Sequence, residues 1–204
     1  MNKKDIRIIV ILAVVVLIVV GLYGSVKGKY NTFVTLDEQV EGAWAQVENV
    51  LQRRMDLIPN LVNTVKGYAD FEQETLERVI QARASATKPQ INAGNLTENP
   101  EALQQFMNSQ NQLSGALSRL MVTVERYPDL KANQNFIRLQ DELAGTENRI
   151  AVERRRFNET VREYNLAIRQ FPNNIFAGIF GFQQRPYFEA PPEAEQVPEV
   201  DFGN

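Results

Sequence analysis

Arg53-Arg54-Met55-Asp56-Leu57-Ile58-Pro59-Asn60-Leu61 is the centre of the stretch that decides the fold, Tyr30 to Ala86. Outward from it, Val40, Trp44, Val47, Leu51, Met55, Ile58, Val62, Val65 and Ala69 recur in steps of three and four, and Leu76 and Val79 follow beyond a polar Glu72. That period is the seam of a long helix packed against other helices. Its phase survives Pro59, so the sequence predicts one bent helix and not a hairpin at the proline. A proline inside a helix cannot bond the carbonyl four residues back, here Met55, and costs about 3 kcal/mol. Something nearby must offset that cost.

Composition removes several kinds of chemistry. Among 204 residues there is neither cysteine nor histidine. Disulfides, thiolate chemistry, imidazole bases and the usual zinc and haem ligands are therefore excluded. The net charge of -3, with Lys and Arg scattered among acids, argues against a nucleic-acid surface.

From Ile8 to Val26 no residue is charged. About 20 such residues span a hydrocarbon core as a helix, and this run is longer than a signal-peptide core and lacks an A-x-A-like cleavage site. An uncleaved transmembrane anchor is the reading it supports. Lys3, Lys4 and Arg7 precede the span, and only Lys27 and Lys29 follow closely. That bias predicts a cytoplasmic N-terminus and an extracytoplasmic remainder. Gly21, Gly24 and Gly28 have spacings that let two anchors approach closely, although such glycines also simply mark a membrane exit.

Beyond the first helix, Thr87-Lys88-Pro89 and Asn92 to Asn95 read as a loop. Asn99-Pro100-Glu101 reads as the start of a second helix, whose seam is Leu103, Phe106, Gln110, Leu113, Leu117, Leu120, Val124 and Tyr127. A third helix is predicted from Asp129 to Phe171, with Leu130, Ile137, Leu143, Ile150, Phe157, Val161, Tyr164, Ile168 and Phe171 on its seam. Glu147 and Arg154 also fall on that seam. Buried charges need partners, which predicts a structural polar network of Arg53, Arg54, Asp56, Asn60, Glu147, Arg154 and Asn158. The same network is the donor source expected for the freed Met55 carbonyl. Glu72, Glu142, Glu147 and Glu153 do not suggest a di-metal site, because that architecture uses Glu-x-x-His pairs. The arginines 154 to 156 diverge by about 100° per residue and do not form one lipid-binding face.

The segment Ile175 to Phe182 is apolar, aromatic and too short to span a bilayer. Two readings stand. It caps the bundle, or it presents Ile175, Phe176, Ile179, Phe180 and Phe182 to lipid or a partner. From residue 183 onward the chain is rich in Pro and Glu and reads as a disordered acidic tail.

Taken together, these residues carry a resemblance. The chain resembles the LemA family of bacterial membrane proteins through Tyr30-Asn31, Trp44, RRMDLIPNLVNTVKGYADFE from Arg53 to Glu72, Gln81-Ala82-Arg83 and Tyr127-Pro128-Asp129-Leu130-Lys131-Ala132. It continues through Leu139-Gln140, TENRIAVERRRFN from Thr146 to Asn158, Tyr164-Asn165, Phe171-Pro172 and Gly181-Phe182. The resemblance implies an up-and-down helical bundle on a membrane anchor and no catalytic residues. One branch of that family takes part in building magnetosome membranes, which suggests a membrane-organising role.

The combined expectation is an all-α chain: a transmembrane anchor over residues 1–29, a bundle over 30–182, and a tail over 183–204. The bundle has three long helices, or four if the first counts as two at its proline bend. The expected function is that of a non-enzymatic cell-envelope scaffold or interaction module, without cofactor or metal. Its expected partners are membrane lipid, unidentified envelope proteins and further copies of itself. The alternative is lipid binding or membrane shaping through residues 175–182.

Overall fold

The computed structural model describes residues 3–68, 71–87 and 96–189, with side chains from Ile11 onward. Among the described residues six helices follow in order: α1 Lys3–Lys66, α2 Gln73–Thr87, α3 Pro100–Val124, α4 Pro128–Lys131, α5 Gln134–Arg169 and α6 Asn173–Phe180. There is no strand among the described residues. The fold is all-α, a long N-terminal apolar helix followed by an up-and-down bundle.

α1 runs for 64 residues, about 96 Å at the helical rise, with no break between its apolar span and the bundle. Its first part is exposed from Ile11 to Tyr23 and is long and apolar enough to cross a membrane. The seam of α1 becomes buried at Phe33, Val40, Trp44, Val47 and Leu51. α2 then returns along α3, and α5 descends antiparallel to α1 over most of its length.

The predicted start of α3 is observed: the Asn99 side chain accepts from the Ala102 N–H, with Pro100 in the first turn. Leu103, Phe106, Gln110, Leu113, Leu117, Leu120 and Val124 are buried as their spacing requires.

The continuous helix expected from Tyr30 to Ala86 is corrected. Helical phase does pass through Pro59, but α1 stops at Lys66 and α2 begins at Gln73. Gly67 and Tyr68 close the helix, with the Tyr68 N–H bonded to the Val65 carbonyl. Leu76 and Val79 are buried as predicted, from a separate helix that folds back. The division into two therefore falls after Gly67 and not at the proline.

The third helix is also divided. α4 is a single turn, and Asn133 starts α5 by accepting from the N–H groups of Asn135 and Phe136. This restart rotates the seam, so Phe136 and Leu139 are buried while Ile137 is partly exposed. Phe171, predicted on the seam, is 81% exposed because the chain has left α5 by then.

The apolar core forms two clusters. The one farther from the apolar span includes Met55, Ile58, Leu113, Leu117 and Leu143, and the nearer one includes Trp44, Leu51, Phe106, Ile150, Phe157 and Tyr164. Along each helix the boundary falls at a polar residue: Arg54 on α1, Gln110 on α3 and Glu147 on α5.

Candidate functional site

Arg54 occupies that boundary and is 1% exposed. Its guanidinium donates to Glu147 Oε1 at 2.8 Å, to Ser114 Oγ at 3.1 Å and to Gln110 Oε1. Gln110 in turn donates to the Ala86 carbonyl at the end of α2, 3.1 Å away. One arginine thus ties four helices together. A buried polar layer of this kind fixes the register of a bundle, because any slip leaves a charge without its partner.

Arg154 lies beside the layer, with its guanidinium over the Phe188 ring at 5.2 Å. Burial lowers its pKa from the ordinary arginine value, and the Arg54 charge adds to that, while Glu147 opposes it. Glu147 is the anion shared by the two arginines. The Nε atoms of Arg54 and Arg154 are buried without a hydrogen-bond partner among the described residues. An open groove of about 350 Å³ between α3 and α5, lined by Ser114, Leu117, Met121, Leu143 and Glu147, reaches the layer from outside.

The seven residues predicted as one network are distributed over several sites. Arg54 and Glu147 meet in the layer, with Arg154 adjacent. Arg53 pairs with Glu142 at 2.9 Å on the surface, where an ion pair contributes little. Asp56 is exposed and accepts from Gln52, one turn earlier on α1. Asn60 is exposed as well, and its carbonyl accepts from the Thr64 hydroxyl. Asp56 and Asn60 thus lie on the solvent side of α1 and do not join the layer. Asn158 bonds the backbone of Phe188 in both directions at 2.8 Å. The donor for the freed Met55 carbonyl is Arg83 on α2, not a member of the predicted set.

At the opposite end of the nearer cluster, the predicted contact segment forms α6. Phe176 and Phe182 pack on the bundle, and Ala177 is buried. Phe182 meets Phe33 edge-on at 5.3 Å, and Phe180 meets Tyr30 at 5.0 Å. Ile175 and Ile179 point away from the bundle. One side of this short helix thus caps the bundle through Phe176 and Ala177, and Ile175 and Ile179 on the other are left exposed.

The expected disordered tail is corrected for residues 183–189; the remainder of that stretch lies outside the described residues. Gly181, with φ of 79°, ends α6 in the left-handed region and turns the chain into an extended strap. Asn165 grips Arg185 by bonding both its N–H and its carbonyl at 2.9 Å. The Arg185 side chain reaches Asp37 at 2.9 Å and Glu98 at 3.0 Å. Burial alone would lower its pKa, but Asp37, Glu41 and Glu98 outweigh burial and raise it. Phe188 stacks on Trp44 at 5.7 Å and meets Phe157 at 5.2 Å. The aromatic residues Tyr187 and Phe188 were the available signal, since disordered segments are poor in them.

An apolar helix of membrane-crossing length that continues without interruption into an up-and-down bundle, pinned by a buried arginine, defines a helical-bundle protein whose N-terminal helix is consistent with a membrane anchor. The chain belongs to the LemA family, whose profile matches residues 43–202. It is 28% identical to Magnetosome protein MamQ 2 of Paramagnetospirillum magneticum, over 91% of this chain and 74% of that protein. It is 27% identical to Magnetosome protein MamQ of Magnetospirillum gryphiswaldense, over 90% of this chain and 73% of the relative. Protein LemA of Metamycoplasma hominis is 24% identical over 78% of this chain and 66% of its own length.

Proposed function

We propose that this protein is a non-enzymatic, single-pass membrane protein that acts as a cell-envelope scaffold or interaction module, with its N-terminus cytoplasmic and its bundle outside. The observation that carries the reading is the continuity of α1, which supplies both the apolar span and the buried seam of the bundle. A rigid connection of this kind holds the bundle at a fixed height and angle. That suits a part that positions other components. The relatives named as magnetosome proteins support a membrane-associated role. Its partners are membrane lipid along the span, envelope proteins on the exposed faces of the bundle, and further copies through Gly21, Gly24 and Gly28. Added side-chain atoms at those glycines would meet nothing within 4 Å in the single chain. A second reading, lipid contact through α6, is favoured by the exposure of Ile175 and Ile179 on a helix whose Phe180 meets Tyr30.

The test is a flexible Gly-Ser insertion between Lys29 and Tyr30, which leaves anchor and bundle intact and uncouples them. Photo-crosslinkers at the exposed Val122 and Val152 in intact cells should give discrete, position-dependent products for the native chain and lose them in the insertion variant. Products unchanged by the insertion would remove the rigid-scaffold reading. Single cysteines at Lys3 and Val152, labelled from outside, report the orientation. Labelling at Lys3 alone would reverse it.

A further inference from the structure

α6 contains no charged residue, and its sequence Asn173-Asn174-Ile175-Phe176-Ala177-Gly178-Ile179-Phe180 is apolar around most of its circumference. A helix of that kind is stable when it has an apolar environment on both sides. The bundle supplies one side, through Phe176 and Ala177. On the other, Ile175 and Ile179 are one turn apart and face solvent with Phe171 close before them, at 52%, 71% and 81% exposure.

The position of this face says what covers it. Tyr30, whose ring meets Phe180 at 5.0 Å and Phe182 at 5.9 Å, follows the last uncharged residue of the span, Val26, by four residues. Four residues of helix advance about 6 Å. The headgroup layer on each side of the hydrocarbon core is itself about 5 to 7 Å deep. The Tyr30 to Phe180 contact is therefore at headgroup depth, where tyrosine is favoured. Lys27, Lys29 and Arg169 flank this end of the bundle and suit anionic headgroups.

We infer that the Ile175 and Ile179 face of α6, with the exposed Phe171 just before the helix, beds in the interfacial layer of the same bilayer that α1 crosses, as a second membrane contact that fixes the orientation of the bundle. This rests on the readings of α1 as a span and α6 as a lipid contact, and it assigns the two faces of α6 separately. Phe176 and Phe182 hold the helix to the bundle, while Ile175 and Ile179 enter lipid. Interfacial helices bury an apolar face at this depth without spanning.

The experiment uses the full chain in vesicles of phosphatidylcholine with a minority of phosphatidylglycerol. The protein has no cysteine, so an environment-sensitive fluorophore can be placed at Ile179→Cys, Val152→Cys or Val16→Cys in separate variants. Spin-labelled lipids carry the quencher either near the headgroup or near the chain end. The expected result is a blue-shifted Ile179 probe quenched by the shallow label, an unquenched Val152 probe, and a Val16 probe quenched best by the deep label. An unquenched Ile179 probe beside a quenched Val16 probe overturns the inference and leaves the span standing. An unquenched Val16 probe overturns the span itself. A blue shift at Ile179 without quenching, lost on dilution with lipid, assigns the face to a second copy and also overturns the inference.

Discussion

Arg83 donates its Nε hydrogen to the carbonyl of Met55 across 3.1 Å. That carbonyl is the one Pro59 deprives of its intrahelical donor. The proline is therefore tolerated because α2 folds back at the level of Met55 and brings an arginine to its carbonyl. Arg83→Ala should lower stability by about 1 to 3 kcal/mol, the cost of a partly buried carbonyl left without its donor. In a Pro59→Ala background the residue-59 N–H is restored, and the cost of losing Arg83 should shrink. Urea unfolding of the full chain in detergent gives the cycle. Equal costs in both backgrounds would show that Arg83 does not serve the proline.

The Arg54 layer predicts an order of severity. Glu147→Ala leaves Arg54, 1% exposed, without its anion and facing Arg154. It should cost about 2 to 3 kcal/mol, discounted because Glu147 is itself 41% exposed. Arg54→Met fills the space with an apolar chain and leaves Glu147 able to hydrate through its groove, so it should cost less. Asn60→Ala should change stability by less than about 0.5 kcal/mol and add to Glu147→Ala, since the two share no partner. A reversed order for Arg54 and Glu147, measured by thermal unfolding, would contradict the charge balance described.

Local periodicity made most of the fold legible, and long-range closure hid the rest. The α3 seam and its Asn99 cap follow from spacing and capping chemistry alone. The turn at Gly67 did not, because Leu76 and Val79 happen to resume the same three-four phase after the chain reverses. In the polar layer, charge on an apolar seam marked Glu147 and Arg154. Gln110 was visible on its seam, but nothing in a one-dimensional pattern says that it would face Arg54. Asp56 and Asn60 were drawn in by sequence proximity to the bend, which says nothing about which face they occupy. Arg83 and Arg185 act across 28 and 148 residues, on Met55 and Asp37 respectively, and no local period encodes such pairs.

The strap makes a prediction that a single fluorophore can read. Trp44 is the chain's one tryptophan, stacked on Phe188 with the rings 15° from parallel. Phe188→Ala should cost about 3 kcal/mol, as for a large buried aromatic, and should shift Trp44 emission to the red by admitting water. Asn158→Ala should produce a smaller shift in the same direction, because it removes both bonds to the Phe188 backbone while leaving the ring. Unchanged emission in both variants would mean that the strap does not cover Trp44.

Tyr164 predicts how the strap end of the bundle responds to alkali. Its hydroxyl donates to the Gln183 carbonyl at 2.9 Å, and its pKa is pushed up from 10.0 to about 12, by burial first and by the Asp37 charge second. Arg185 acts in the opposite direction. Because the folded value lies above the unfolded one, the folded state keeps the proton longer. The stabilisation is complete below about pH 10 and is lost as pH rises through about 12, roughly 2 to 3 kcal/mol in all. In a titration of phenolate absorbance, Tyr164 should ionise in a late step near pH 12, together with loss of structure. Tyr164→Phe should abolish that late step and flatten the alkaline decline in stability, at the cost of the Gln183 bond. A late step that persists in Tyr164→Phe would assign it to another tyrosine and refute the buried hydroxyl as its source.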